Sequence, residues 1–482
     1  MKKSLVIICL ASSMTVVHAY GQILRGPYIQ NLQSNSTVIR WKTSEPSITL
    51  LKYSDAKNTY EYQDRLLNKE HLVRLTNLKS DTEYHYDIHM QNSPSFIKKL
   101  SCKLLHPLTK LEANCFFRTQ ANSNAYQAHI WVLGDPGTSG SKIFANRYKV
   151  TQLKVRDAYY QYRQDNHIPK TDLILTLGDN VYDQGSEEAY KKGFFDVYRE
   201  ELAHTPIYTT FGNHDAGLNR RNLTFQARSY PYPNGVYYDI FFNPENKAAF
   251  YSFNYEGVHF IVLDSHDSFW EDFNGSNYET VWVPGTEAKN KMLDWLKQDL
   301  ANNRSDWTIV AFHHPPFSLE GDSHELGIWQ QWIKVNLVPI LETYHVDLVL
   351  SGHAHNYQRR YPSISYKSES KTSVAESNKK RTLYYPSFTN NKIQQLAANI
   401  SIKPTSKSKN YYTQGEGIIY VILGSSGAAF QEVKKDIENN LSFVTAIQKE
   451  GSLILDANAK QLKIKFLSSE NTILDEFSIN KP

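Results

Sequence analysis

Among 482 residues, 53 Lys and Arg face 49 Asp and Glu, a formal charge of +4. Lys2 and Lys3 fall in a leader-like start; without them the balance is 51 to 49, too even for a protein whose main work is electrostatic nucleic-acid binding. Hydrophobic residues at 40% and charged residues at 21% are the proportions of a chain with packed cores, which excludes disorder throughout.

The start reads as a signal peptide over residues 1–19: Lys2 and Lys3, an apolar run from Leu5 to Leu10, and the small-residue site Val17-His18-Ala19. Export is therefore expected, to the periplasm or outside. Cys9 follows Ile8 rather than a small residue, which argues against a lipoprotein anchor. No later stretch offers the ~18 apolar residues of a spanning helix, so no transmembrane segment is expected. Residues 20–120 alternate apolar and polar in short runs: Ser36–Lys42, Ser47–Tyr53, His71–Leu75 and Thr82–Ile88. Turn clusters such as Thr43-Ser44-Glu45-Pro46 separate them, the pattern of a small all-β sandwich. Cys102 and Cys115 either bridge a short loop, worth about 3 kcal/mol in the loop-closure account, or remain two thiols. No Cys-x-x-Cys is present, which removes thiolate zinc sites and redox motifs.

Over residues 121–430 short apolar strands alternate with helical stretches. Strands are expected at His129–Leu133, Leu173–Leu177, Ile207–Phe211, His259–Leu263, Trp307–Phe312 and Val346–Leu350. Helices are expected at Ile143–Gln164, Glu187–Glu201, Lys289–Asn302 and Trp329–Thr343. Unbroken apolar runs of about five residues with crossover helices predict a mixed or parallel sheet covered on both faces. Ser, Lys, Asn and Thr dominate a polar insertion at about 362–413; strand character returns at Gly417–Leu423. Residues 431–482 form a C-terminal β extension with a turn near Ser469-Glu470-Asn471.

The chemistry sits where strands end. The exits read Gly134-Asp135-Pro136-Gly137, Gly178-Asp179-Asn180-Val181-Tyr182, Gly212-Asn213-His214-Asp215, His313-His314-Pro315-Pro316 and Gly352-His353-Ala354-His355. In α/β sheets ligands bind at the carboxyl ends of strands, so these groups should converge. Carboxylates, an amide oxygen and imidazoles without thiolate suit iron, zinc, manganese or magnesium. A carboxylate can bridge two ions, and a pair of ions clamps an in-line displacement at phosphorus while activating water.

This order of motifs resembles the purple acid phosphatase branch of the calcineurin-like metallophosphoesterases. The Tyr182 motif, with Gly137 where the wider superfamily usually has His, marks that branch. Leu24–Gln30 and Val38–Trp41 look like the entry of that family's N-terminal fibronectin type III-like domain, and Asn77–Tyr84 resembles the corner before the Tyr-bearing strand. The implied fold is an all-β fibronectin-like sandwich followed by an α/β metallophosphoesterase domain, a mixed β-sandwich flanked by helices. The resemblance implies that Asp135, Tyr182 and His355 hold a first ion, commonly Fe(III), and that Asp179 bridges. Asn213, His313 and His353 would hold a second ion: zinc, iron or manganese. His214 would face the substrate phosphate with Asp215 orienting its ring, and His324 would be a further active-site imidazole, either His donating the leaving-group proton.

The expected activity is hydrolysis of small-molecule phosphate esters, most simply acid phosphomonoesters, by a metal-bound hydroxide. Use of the same site as a phosphodiesterase or nucleotide hydrolase is the alternative, with Arg220 and Arg221 as phosphate contacts or as a solvated turn. A surface binding protein carrying a relic site is the reading from another class; the presence of all seven ligand positions argues against it.

Overall fold

The computed structural model describes residues 22–93, 96–100, 115–121, 125–137, 145–182, 185–215, 236–242, 250–265, 287–319, 330, 332–367, 400–406, 408–428 and 442–482. The leader, Cys102, Arg220, Arg221 and His324 lie outside them.

The N-terminal region is built from β1 (Ile23–Gln30), β2 (Thr37–Ser54), β3 (Thr59–Leu75), β4 (Glu83–Ser93), β5 (Phe96–Leu100) and β6 (Phe116–Arg118). The turn expected at Thr43–Pro46 is instead an irregularity inside one long strand, with register shifts against β3 between Lys42, Ser47 and Thr49. Pro46, which has no N–H to give a ladder, sits in that stretch. The buried His71 ring holds it together, bonded to the hydroxyls of Thr43 (3.1 Å), Ser47 (3.3 Å) and Thr49 (2.8 Å). It also stacks on Trp41, with ring centroids 4.8 Å apart at 7°. Beyond the bend β2 pairs with β4 rather than β1. Two layers thus enclose Ile39, Trp41, Leu51, Val73, Tyr84, Ile88 and Phe117. Tyr84 Oη accepts the Lys79 N–H at 2.9 Å, tying the corner down as in other sandwiches of this type. Cys115 is disulfide-bonded to a partner outside the described residues.

The second region begins with β7 (Gln127–Leu133), helix α1 (Ala145–Asp165) and β8 (Leu173–Thr176). The single helix expected at Glu187–Glu201 is broken into α2 (Glu187–Tyr190), a wide turn over Lys191–Phe195, and α3 (Arg199–Leu202). Gln152 Nε2 takes the Gly193 carbonyl at 2.6 Å, and Asp196 N reaches back five residues to Lys191 O, which opens the helix there. Next come β9 (Ile207–Thr209), α4 (Val236–Phe241), β10 (Tyr251–Tyr255), β11 (Val258–Val262), α5 (Glu287–Asn302) and β12 (Trp307–Ala311). The helix expected at Trp329–Thr343 likewise opens into a wide turn at Ile333–Leu337 before α6 (Val338–Thr343). Pro339 has no N–H for the preceding turn. The rest is β13 (Leu348–Ser351), β14 (Tyr357–Arg360), β15 (Ser363–Lys367), β16 (Ile400–Pro404), β17 (Tyr411–Thr413), β18 (Ile419–Leu423), β19 (Phe443–Ile447), β20 (Gly451–Asn458), β21 (Gln461–Ser468) and β22 (Ile473–Asn480). β15 and β16 pair as a two-stranded ribbon at the two ends of the polar insertion.

Two seven-stranded mixed sheets result, in the orders β10-β11-β12-β13-β18-β14-β19 and β17-β22-β21-β20-β7-β8-β9. The C-terminal strands enter through β20, antiparallel to β7. Alternate residues explain the layers. Ile130, Val132, Leu175, Phe260, Val262, Ile309 and Leu350 face the core between the sheets. Trp131, Leu133 and Ile174 face outward onto Val155 and Tyr159 of α1. Ile261, Val310 and Val349 face Met292 and Leu296 of α5 and Leu341 of α6. Strands buried on both faces must be apolar throughout, as these are.

The two regions dock through polar anchors. Arg25, buried, donates to Glu187 (3.0 Å), Glu70 (2.7 Å) and Tyr28 Oη (2.9 Å). Tyr28 Oη, Gln30 and Arg40 donate to the carbonyls of Ile240, Phe241 and Phe242 at 2.7, 2.8 and 3.1 Å. These carbonyls end α4, where helix C=O groups have no partner of their own.

Candidate metal centre

Five parallel strands, β7, β8, β9, β12 and β13, end at one edge of the sandwich, and each exit loop turns sharply back. Asp135 (φ 51°), Asp179 (φ 48°) and His353 (φ 67°) all adopt the left-handed backbone region, strained for residues with a Cβ. Gly178 precedes one of them at φ 92°, and a Cβ there would lie 2.4 Å from His313 Nδ1. A Cβ on Gly352 would lie 2.4 Å from Asp135 Oδ2. Close packing of the loops therefore requires glycine at both points.

The seven proposed ligand residues converge. In one group Tyr182 Oη lies 2.9 Å from Asp135 Oδ1 and 2.8 Å from His355 Nε2, and His355 Nε2 lies 3.4 Å from Asp135 Oδ1. In the other, Asn213 Oδ1 lies 3.0 Å from His313 Nε2 and 3.1 Å from His353 Nδ1, and the two imidazoles are 3.2 Å apart. Asp179 adjoins the second group, its Oδ1 3.5 Å from His313 Nε2, and one ligand atom each of Asp135, Asp179 and His313 falls within 4.8 Å of the others. Atoms held about 2.0–2.2 Å from one ion stand roughly 3–3.5 Å apart, so both triads have the spacing of a coordination shell. Supporting bonds fix the rings and carboxylates. His313 Nδ1 donates to the Leu177 carbonyl at 2.8 Å, which turns Nε2 toward the cluster. Asp135 Oδ2 accepts from the His353 N–H at 2.8 Å, and Asp179 Oδ1 from the His214 N–H at 2.8 Å.

The electrostatics favour a cation. No lysine or arginine among the described residues pairs with Asp135 or Asp179. Burial works against a charged Asp179, yet the His313 and His214 charges hold it well below the usual carboxylate range. Burial depresses His353 well below an ordinary imidazole, and the His313 charge adds to this. Burial and then Asp135 push the Tyr182 phenol far up. Two buried carboxylates, a phenol and a neutral imidazole crowd around a centre whose positive partners among the described residues are the imidazoles His313 and His214. A multivalent ion would stabilise the anionic and neutral donor forms together.

The remaining predicted residues separate. His214 stays at the cluster: its ring is 4.6 Å from that of Tyr182, and its Nε2 is 3.9 Å from Asp179 Oδ2. Asp215 is differently placed. Its carboxylate accepts from Asn180 N (3.1 Å), Asn180 Nδ2 (2.9 Å), Gly212 N (2.9 Å) and Tyr190 Oη. Burial and the nearby Asp179 charge push it up to about 7. It binds two exit loops to each other rather than orienting the His214 ring. Sequence reasoning missed Asn180, fully buried, which also donates to the Thr210 carbonyl at 3.0 Å. Its signal was present, in the residue directly after Asp179. It also missed Ser265 beside His314, which no local motif marks.

Residues 128–357 match the calcineurin-like phosphoesterase family. This stretch is a calcineurin-like phosphoesterase domain. It contains the six residues of the two triads and Asp179. The chain is 27% identical over 329 residues to purple acid phosphatase 15 of Arabidopsis thaliana, covering 61% of this chain and 50% of that protein. It is 30% identical over 197 residues to human tartrate-resistant acid phosphatase type 5, covering 39% and 56%. The chain thus spans about half the length of these curated relatives. The fold is similar to that of a purple acid phosphatase from yellow lupin seeds, with a TM-score of 0.67 at 17% identity, covering 94% of this chain and 74% of that one. The phosphoesterase domain and the preceding fibronectin type III-like sandwich together account for this shared architecture. Among the described residues no helix is long and apolar enough to cross a membrane.

Proposed function

We propose that the chain is a two-metal hydrolase of phosphate esters, acting on small phosphomonoesters. One observation carries this reading: two triads of donor atoms, each spaced 2.8–3.4 Å, with Asp179 beside them, at the edge where five strands end. Asp135, Tyr182 and His355 would hold the first ion; the hard, anionic Tyr182 phenolate suits Fe(III). Asn213, His313 and His353 would hold the second, zinc, iron or manganese, and Asp179 would bridge. When bound, such ions supply Lewis acidity toward phosphoryl oxygens and a nucleophile from water near neutral pH.

The chain's own residues do the rest. His214, 25% exposed at the cluster, is placed to bind a phosphate oxygen and to give a proton to the departing alkoxide. Its backbone N–H steadies Asp179 at the same time. Asp215, Asn180 and Tyr190 keep the Asp179 and Asn213 loops in register. His324 remains a proposed second donor. The signal-peptide-like composition of residues 1–19 supports an exported protein.

The test is steady-state hydrolysis of an aryl phosphate monoester and its matching diester by the purified chain. Monoester turnover that disappears in His214→Ala, with metal content retained, is the expected result. Diester preference would move the function to phosphodiesterase, and turnover of neither by the ion-loaded chain would contradict the proposal.

A further inference from the structure

Helix α2 is a single turn, yet it touches both the N-terminal sandwich and the loops that carry the proposed ligands. On one side Glu187 Oε1 accepts from Arg25 Nε at 3.0 Å, and its Oε2 meets Lys42 Nζ at 3.1 Å. Both cations belong to the N-terminal region. The wide turn that follows packs Phe195 against the Tyr28 ring of β1, with centroids 4.9 Å apart. On the other side Tyr190, fully buried, donates its hydroxyl to Asp215 Oδ1. Gly185, just before the turn, lies so close that a Cβ there would fall 2.2 Å from the Asp215 carbonyl oxygen.

Asp215 is where this contact meets the metal centre. Its carboxylate receives the Asn180 N–H at 3.1 Å, the Asn180 amide at 2.9 Å and the Gly212 N–H at 2.9 Å, besides the Tyr190 hydroxyl. Three of these donors lie on the exit loops, and Tyr190 is the fourth. Asn180 follows Asp179, the proposed bridging ligand; Gly212 precedes Asn213, a proposed ligand of the second ion. The place of this one carboxylate therefore sets the backbone of both. Asp179 holds a φ of 48°, a conformation that persists where its surroundings over-determine it. A single helical turn has no stability of its own in water, so α2 stands where its contacts on either side hold it.

We propose that Glu187 and Tyr190 are positioning residues for Asp179 and Asn213, and that the N-terminal sandwich takes part in metal binding by holding α2 through Arg25 and Lys42. The inference rests on the two-ion reading above. It gives the sandwich a task at the metal centre although it supplies no ligand.

The test is calorimetric titration of the purified, metal-free chain with zinc, on variants shown to be folded by circular dichroism. Tyr190→Phe removes the hydroxyl and keeps the ring and its edge contact with Phe241, 5.8 Å between centroids. The affinity for the second of the two ions should fall about tenfold. Glu187→Ala, at a side chain 36% exposed, should lower it by a smaller factor. In the double variant the fall should be less than the product of the two, because both act on Asp215 through the same turn. Tyr86→Phe is the control: it removes a bond from Tyr86 Oη to the Ala203 carbonyl (2.6 Å) elsewhere between the two regions, and zinc affinity should stay at the wild-type value. Wild-type affinity in Tyr190→Phe overturns the inference. Wild-type affinity in Glu187→Ala, or an equal fall in Tyr86→Phe, overturns the part given to the sandwich. A wild-type chain that binds no zinc pair overturns the two-ion reading and this inference with it.

Discussion

His71 makes the N-terminal sandwich acid-sensitive in a way that can be measured. Burial lowers its pKa from 6.5 to about 4, so the ring is neutral in the fold. Three hydroxyls and the stacked Trp41 surround it, and the Asp64 charge, which favours an imidazolium, only partly offsets the burial. The unfolded chain takes up this proton at an ordinary imidazole pKa, the folded chain only near 4. Stability from this group is therefore complete above pH 6.5 and is lost as pH falls from 6.5 to 4. At 1.36 kcal/mol per pKa unit, the loss across the window is about 3 kcal/mol. His71→Gln keeps a hydrogen-bonding side chain of similar reach without a titrating group. Urea unfolding of both proteins at pH 7.5, 5.5 and 4, followed by tryptophan fluorescence, gives the difference in pH dependence, in which all other titrations cancel. Wild type should lose about 3 kcal/mol more than the variant. Equal losses, or an NMR-detected His71 titration near 6.5 in the folded protein, would refute the reasoning.

Asp347 should show the opposite sign. Burial raises its carboxyl from 3.8 to about 6, so the fold gains stability from it as pH falls from about 6 to 4, and Asp347→Asn should flatten that part of the curve in the same urea series. Gly178→Ala places a methyl 2.4 Å from His313 Nδ1 at a φ of 92°, and should displace that ring and lower metal content at the second triad, measured by elemental analysis. Arg25→Leu leaves Glu70 and Glu187 with Lys42 as their shared partner, and because both carboxylates reach solvent it should cost about 1–2 kcal/mol in denaturant unfolding. A loss under about 0.5 kcal/mol would mean that the anchor does not hold the two regions together.

What was legible in the sequence was whatever a local pattern determines. Apolar strands followed by Gly-Asp or Gly-Asn-His announce both the sheet and its functional edge, because burial on two faces demands the first and tight exit turns the second. Arg25 and Tyr28 could be noticed as a motif, but their work depends on partners far along the chain, Glu70 and Glu187 for Arg25 and the Ile240 carbonyl for Tyr28. The bend of β2 was misread because Thr43–Pro46 has turn composition, while the deciding contact is His71 on the neighbouring strand. Gln152, on another helix, opens the predicted Glu187–Glu201 helix at Gly193. Asp215 shows the limit of adjacency: it follows His214 directly, yet its carboxylate is taken by Asn180, Gly212 and Tyr190.

The central claim is that Asp135, Tyr182 and His355 on one side and Asn213, His313 and His353 on the other hold two ions joined by Asp179. Metal content per chain, measured by elemental analysis after equilibration and gel filtration, tests it most directly when wild type and Asp179→Ala are compared on protein shown to be folded. The account predicts two ions in wild type and at most one in the variant, with phosphomonoester hydrolysis lost. A wild-type chain that hydrolyses phosphate esters after its ions are removed, or an Asp179→Ala chain that keeps both ions and full turnover, would contradict it.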